Sequence, residues 1–357
     1  MRRMKNPAVL KICLLTFTTM RELSVLQFLV VCFCCFLNHT VSGQYYYNGM
    51  ERTIEQRVYT HINSALQTPD IVYHIDLRNQ KLTTFPDALY KFPNLRSIIL
   101  SGNAIDKVDI KSNTFQNVVT LDLSDNRIHE FLIGQNSLTY LKKLNLDNNQ
   151  LVYFPQLGNY YFVVEDLSLR YNYIAHIPMG ELFPATVKFL YLDNNPIKNH
   201  EVIFREGTQL EELYLYQTGL RNLPQDLSLE RLAKLNLGNN PLEFKSFKAK
   251  NYPKLVHLDI GYVDLTNINP FEELNELKKL RYLSLESCNL TSLSAQIGGL
   301  KSLKEISLLG NELNQLPVEF YELKLKLINL QRNPLNSETV SELIKTFKKS
   351  TLNLEHD

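Results

Sequence analysis

Apolar residues recur along this chain in one spacing, L-x-x-L-x-L-x-x-N-x-L, from Val72 to Leu335. Clear copies are Val118-VTLDLSDNR-Ile128, Leu141-KKLNLDNNQ-Leu151 and Leu303-KEISLLGNE-Leu313. The position written N holds Gln80, Asn103, Asn126, Asn149, Asn172, Asn195, Thr218, Asn240, Val263, Cys288, Asn311 and Asn333. Steps between them are 22 or 23 residues, except for 25 between Val263 and Cys288. Twelve copies in such close register define a repeat protein. Within each copy the L-x-L core alternates, so it predicts a short strand with Leu121 and Leu123 inward and Thr120, Asp122 and Ser124 outward. One copy cannot bury its apolar face alone. The copies must therefore stack into a solenoid of parallel strands, one per repeat.

The turn Asn is expected to point inward and donate to backbone carbonyls of neighbouring turns, because buried carbonyls need partners. Thr218 and Cys288 can substitute with a hydroxyl and a weak S–H donor. Val263 cannot, so a local irregularity is expected there. The long step that follows reads either as a binding loop or as an insertion on the outer side carrying Glu272 and Glu273. A solenoid also needs polar caps at its raw ends. The stripe Met50, Ile54, Val58, Ile62 and Leu66 predicts an N-terminal helical cap over residues 44–70. Val340, Leu343, Ile344 and Phe347, with Asn336 or Ser337 as N-cap, predict a second helical cap over 336–357.

These residues resemble the leucine-rich repeat family over residues 71–335. Apolar-Pro pairs follow several repeats: Phe85-Pro86, Phe154-Pro155, Ile177-Pro178, Leu223-Pro224 and Leu316-Pro317. That is similar to the ~23-residue L-P-x-x-L subclass. The segment Ile62 to Pro86 is similar to the start of exported bacterial members. The resemblance implies an α/β leucine-rich repeat solenoid, curved, with about twelve parallel strands on its concave face and a macromolecular ligand bound there. Cysteine-rich caps, usual in animal extracellular members, are replaced by helices here.

The first 43 residues read differently. A 13-residue apolar run, Val25–Leu37, follows basic residues. It is too short to span a bilayer comfortably but suits a signal-peptide core. Val41-Ser42-Gly43 fits a cleavage site before Gln44, with Met20 as an alternative start. Export to an extracellular or periplasmic space follows, leaving no stable membrane span. If the segment is not a working signal, the chain reads instead as an intracellular regulatory scaffold. Removal of five basic residues and one acidic residue would take the net charge from +1 to −3. Neither value suits a nucleic-acid binder, which needs a basic face.

Candidate chemistry changes little. Four of the five cysteines lie in the first 35 residues, so no disulfide framework holds the repeats. No phosphate-cradling glycine loop, G-x-S-x-G elbow or H-E-x-x-H motif is present. His74 and His257 lie eight repeats apart and cannot share a metal. The sequence thus implies no enzyme, no cofactor and no metal. Asn289-Leu290-Thr291 is a glycosylation sequon that matters only in a eukaryotic secretory pathway. Binding is expected on the strand face. Most outward positions there are small or polar, such as Ser97, Ser101, Thr120 and Asn145. Repeats five to seven instead place Arg170, Tyr171, Phe189, Tyr191, Asp193, Glu212, Tyr214 and Tyr216 side by side. Tyrosine and arginine are enriched in binding hot spots. The competing reading is that aromatic cross-strand pairs simply stabilise the sheet. As a binding patch, Tyr191 and Tyr214 should be removable at a cost within ~0.5 kcal/mol, as surface residues are. The ligand can be named only by class: protein, peptide or glycan. A weaker cluster is His257, Tyr262 and Tyr282.

Overall fold

The structure is a computed structural model that describes residues 56–157, 163–177, 185–198, 208–223 and 228–354. All of these belong to one compact unit, Thr53–Asp357. The signal-peptide reading of residues 1–43, the cap before residue 56, and Pro178 and Pro224 lie outside the described residues.

Each repeat contributes one three-residue strand. These are β2 (His74–Asp76), β3 (Ser97–Ile99), β5 (Thr120–Asp122), β7 (Lys143–Asn145), β8 (Asp166–Ser168), β9 (Phe189–Tyr191), β10 (Glu212–Tyr214), β11 (Lys234–Asn236), β12 (His257–Asp259), β13 (Tyr282–Ser284), β14 (Glu305–Ser307) and β15 (Leu327–Asn329). They pair in sequence order, all parallel, and equivalent residues face each other: Leu121 with Leu144, Leu144 with Leu167, Leu167 with Leu190. Strand β1 (Val58–Tyr59) and strand β16 (Thr351–Asn353) extend the sheet at its ends, giving fourteen strands among the described residues. The sheet thus exceeds the twelve strands that the repeats alone supply. The inward leucines of each strand and turn form one continuous core; Leu121, Leu123, Leu144 and Leu146 are at most 1% exposed. Outside the core run single 3-10 turns, two of them entered through Pro86 and Pro317. A second, two-stranded parallel sheet lies elsewhere, β4 (Lys107–Ile110) on β6 (Glu130–Ile133), and the repeat pattern did not predict it.

The residue before each turn residue is left-handed in all twelve repeats, with φ between +50° and +69°. Asn and Gly, which tolerate that region, fill six of these sites: Asn79, Gly102, Asn148, Asn194, Asn239 and Gly310. Past each such turn the Asn side chain enters the core. Asn149 Nδ2 donates to the carbonyls of Leu123, Leu146 and Asp147 at 3.0–3.1 Å, and its Oδ1 accepts from Ile128 N at 2.9 Å. Asn126, Asn172, Asn195 and Asn240 repeat the pattern. Thr218 Oγ1 donates to Leu215 O at 3.0 Å, and Cys288 Sγ to Ile260 O at 3.3 Å. Burial pushes the Cys288 thiol up to about 12, which leaves it inert at neutral pH.

At Val263 the expected irregularity does not arise in sheet or turn. Tyr262 keeps the left-handed φ of +62°, Val263 is fully buried, and the register His257–Tyr282 continues unbroken. Stacking of the flanking repeats holds the turn without a side-chain donor. The extra residues of the long step form helix α2, Phe271–Leu274, which sinks Phe271 and Leu274 into the core. Glu273 there accepts from Lys248 Nζ and Ala249 N. The step is an insertion built into the packing.

The ends differ in part from the expected helices. Val58 belongs to β1, and among the described residues of this end only Ile62–Ala65 forms a short helix, α1. An i+4 stripe is compatible with either state, and pairing of Val58 with His74 closes the sheet edge. Tyr59 is buried and its hydroxyl hydrogen-bonds with Thr68 Oγ1. At the other end helix α3, Ser337–Thr346, starts at Asn336, whose side chain accepts from Thr339 N at 2.8 Å. Leu343 and Phe347 are buried, but Ile344 is 56% exposed.

Candidate binding face

Strands β8, β9 and β10 place Asp166, Phe189 and Glu212 in one row and Ser168, Tyr191 and Tyr214 in the next. The Tyr191 and Tyr214 rings stack with centroids 4.9 Å apart, inclined by 25°. The Arg170 guanidinium lies 4.3 Å from the centre of the Tyr191 ring and 5.7 Å from that of Tyr214. Its Nε donates to Asp193 Oδ2 at 2.9 Å, and the side chains of both partners are only 10% exposed. Asp147 stands on the other side, 4.0 Å from the guanidinium. Tyr214 Oη donates to Glu212 Oε2 at 3.2 Å, and Glu212 also pairs with Lys234 at 2.9 Å.

A change in the middle outward row builds this cluster. In several repeats that row holds Asp or Asn, which caps the amide two residues on: Asp122 to Ser124, Asn145 to Asp147, Asn236 to Gly238 and Asp259 to Gly261. Ser168 and Tyr214 do not cap in that way. The amides of Arg170 and Tyr216 donate instead to Asp147 and Asp193 of the preceding repeat, at 2.7 and 2.8 Å. Those aspartates are thereby drawn down onto the sheet, where Arg170 meets them.

The structure brings all eight sequence-predicted residues onto adjoining strands and turns, but not with one exposure. Arg170, Asp193 and Tyr214 are buried; Phe189, Tyr191, Glu212 and Tyr216 are half-buried; Tyr171 is 51% exposed. The expectation of freely truncatable tyrosines therefore needs correcting. Burial raises the pKa of Tyr191 and Tyr214 well above the ordinary phenol value, so both stay neutral. Replacing both by alanine is now expected to cost about 1–3 kcal/mol, through the lost stack and the uncovered Arg170. Chemical denaturation of the double variant measures this.

Carboxylates on the face share a second property. Burial pushes Asp147 and Asp259 up to about 6, and raises Asp122 and Asp166 as well. A carboxyl raised in the folded state binds its proton more readily there than in the unfolded chain. Stability from these groups is thus gained as pH falls from about 6 towards the ordinary aspartate value, and is lost as pH rises through 6. The unfolding midpoint is expected to rise between pH 7.5 and pH 5. A fall over that range would show that these carboxylates are better solvated than their positions indicate.

The weaker cluster also forms in part. His257 and Tyr282 stack at 3.9 Å, whereas Tyr262 stands on its turn, 51% exposed. From strand alternation alone Asp147 and Asp259 read as part of a solvated face, which their burial against neighbouring repeats corrects, and the role of Gly238 and Gly261 was missed. Reading the third outward position as its own column, Asp147-Arg170-Asp193-Tyr216-Gly238-Gly261-Glu286, would have exposed the contrast. Among the described residues, no group of His, Cys, Asp and Glu is arranged to hold a metal ion, and no helix is long and apolar enough to cross a membrane.

This fold is a leucine-rich repeat solenoid. Solved structures of that class superpose on most of the chain. The functional domain of InlJ from Listeria monocytogenes covers 79% of this chain and 63% of its own, with a TM-score of 0.59 at 19% identity. The leucine-rich repeat domain of APL1B covers 86% and 94%, with a TM-score of 0.59 at 17% identity. The internalin InlF of Listeria monocytogenes covers 83% and 94%, with a TM-score of 0.54 at 18% identity. At these identities the likeness is one of fold. No family model matches the chain. Among curated relatives, an acidic leucine-rich nuclear phosphoprotein 32-related protein of Plasmodium falciparum is 37% identical over 94 residues, a quarter of this chain. An adenylate cyclase of Schizosaccharomyces pombe is 32% identical over 144 residues. The matches span only 34% and 8% of those two proteins.

Proposed function

We propose that this chain is an exported, non-catalytic binding module that recognises a protein ligand through the concave, strand-bearing face of its solenoid. One observation carries the reading: on repeats five to seven the small polar row gives way to a braced platform of Arg170, Tyr191 and Tyr214 edged by Tyr171, Phe189 and Tyr216. Arg170 and the carboxylates beside it hold the tyrosines in place, so little side-chain entropy is left to lose on binding. The rim residues make the contacts. Export is inferred from the apolar run Val25–Leu37, and an expressed protein beginning at Gln44 would support it.

The test uses substitutions that spare the platform. Tyr171→Asn keeps a residue that tolerates the left-handed turn, and Phe189→Ser removes the half-buried aromatic. Affinity capture from host extracts with the wild-type chain and with this double variant, read by mass spectrometry, should yield a partner retained by the first and lost by the second. Equal retention by a variant of unchanged melting behaviour would place the site elsewhere.

A further inference from the structure

Repeats eight and nine carry glycine, Gly238 and Gly261, where every other repeat has a side chain at the third outward position. Neither glycine is left-handed, so the backbone does not demand them. Their effect is spatial. A Cβ at Gly238 would stand 3.1 Å from the Tyr216 ring, and one at Gly261 would stand 3.2 Å from Asp259 Oδ1 and 3.4 Å from Glu286 Cβ. Tyr216 thus closes over one glycine and Glu286 stands against the other. Above them rises Tyr262, an aromatic residue held at φ +62° on an exposed turn.

The charges here contrast with those elsewhere on the face. Asp76 pairs with Arg78, Asp166 with Lys143, Asp193 with Arg170 and Glu212 with Lys234. Asp259, Glu286 and Glu305, in three consecutive repeats, pair with no cation among the described residues. Asp259 accepts from Gly261 N and Asn236 Nδ2, and Glu286 from Ser307 Oγ. The chain itself shows what such a setting takes. Four repeats earlier, Arg170 lies against two tyrosine rings with its guanidinium on a carboxylate. Around Gly261 the tyrosines and carboxylates recur, but the sequence supplies no arginine.

We propose that this stretch of the strand face docks a protein segment presenting a lysine or arginine, seated over Gly261 against Asp259 and Glu286 and between Tyr216 and Tyr262. The inference rests on the protein-binding reading and specifies the chemistry of the ligand. The basic group gains two carboxylates and two aromatic faces in a site drier than bulk water. Burial has already raised Asp259 to about 6, and a cation beside it would draw it down again.

A phage-displayed library of random dodecapeptides, panned on the full chain, supplies the probe. Selected peptides should share a lysine or arginine at one register, and citrulline or norleucine there should weaken binding about tenfold or more. Glu286→Gln and Tyr262→Asn should each weaken the same peptide about tenfold, while Ser97→Ala leaves it unchanged. Asn suits a left-handed turn, so Tyr262→Asn should melt no lower than wild type. Peptides without a shared basic residue, basic peptides that bind both variants as well as wild type, or a library that yields no binder would each overturn the proposal. Peptides lost only in the Tyr171→Asn, Phe189→Ser variant would overturn it while leaving the broader binding function standing.

Discussion

Arg170→Ala is expected to destabilise the fold by about 3–5 kcal/mol, the cost of leaving a buried carboxylate without its cation. Asp193 and Arg170 are bonded at 2.9 Å with side chains 10% exposed, and Asp147 lies 4.0 Å from the same guanidinium. Removing the arginine leaves Asp193 with the Tyr216 amide as a hydrogen-bond donor but takes away the positive charge that balances its carboxylate. Arg170→Lys should recover only part of the loss, because an ammonium cannot both lie flat on Tyr191 and reach Asp193. Arg170→Met combined with Asp193→Asn should recover more, since it removes both charges and the amide oxygen so introduced can still accept from Tyr216 N. Urea unfolding of the three variants tests the order. An Arg170→Ala loss below about 1 kcal/mol would mean that water already solvates the guanidinium.

The same residue marks the limit of what the sequence reveals. Alternation along a strand tells that Arg170 points away from the core; it does not tell whether its neighbours then cover it. Covering depends on side chains 23 residues before and after, Asp147 and Asp193, and on the loss of an amide cap in the middle row. The repeat itself was legible because strand, turn and inward Asn are each fixed by a local spacing that recurs. Where a segment departs from that spacing, local pattern is ambiguous. Val58 fits a helical stripe as well as an edge strand, and β1 forms because a neighbouring strand is there to pair with it. Phe271 and Leu274 share an i, i+3 spacing that fits a buried helical turn in the long step, while Glu272 and Glu273 between them fit an exposed loop equally well. Ile344 belongs to the same stripe as Leu343 and Phe347 but stays exposed, because a stripe fixes the face of a helix and not how far its neighbours reach over it.

The ladder itself gives the second large effect. Asn149→Ala should cost about 2–4 kcal/mol, through loss of four hydrogen bonds, three of them buried. The losses are unequal. Leu123 O keeps the donor from Asn126, and Leu146 O keeps the one from Asn172. Ile128 N has Asn149 Oδ1 as its acceptor, so it becomes a buried amide facing methyl carbon. That single stranded donor dominates the cost, and it distinguishes the possible replacements. Asn149→Asp retains an acceptor for Ile128 N but turns its second oxygen towards the carbonyls of Leu123 and Leu146, so it should do no better than alanine at neutral pH. Asn149→Thr copies Thr218, whose hydroxyl donates to Leu215 O, and should fall between alanine and wild type. Val263 shows that one turn can survive without a ladder donor when its neighbours are intact. A second deletion in the adjacent repeat, Asn149→Ala with Asn172→Ala, should therefore cost more than the two single losses combined, because Leu146 O then loses both of its side-chain donors. Strict additivity in urea unfolding would show that the carbonyls find water, and that the ladder does not seal the interior of the solenoid.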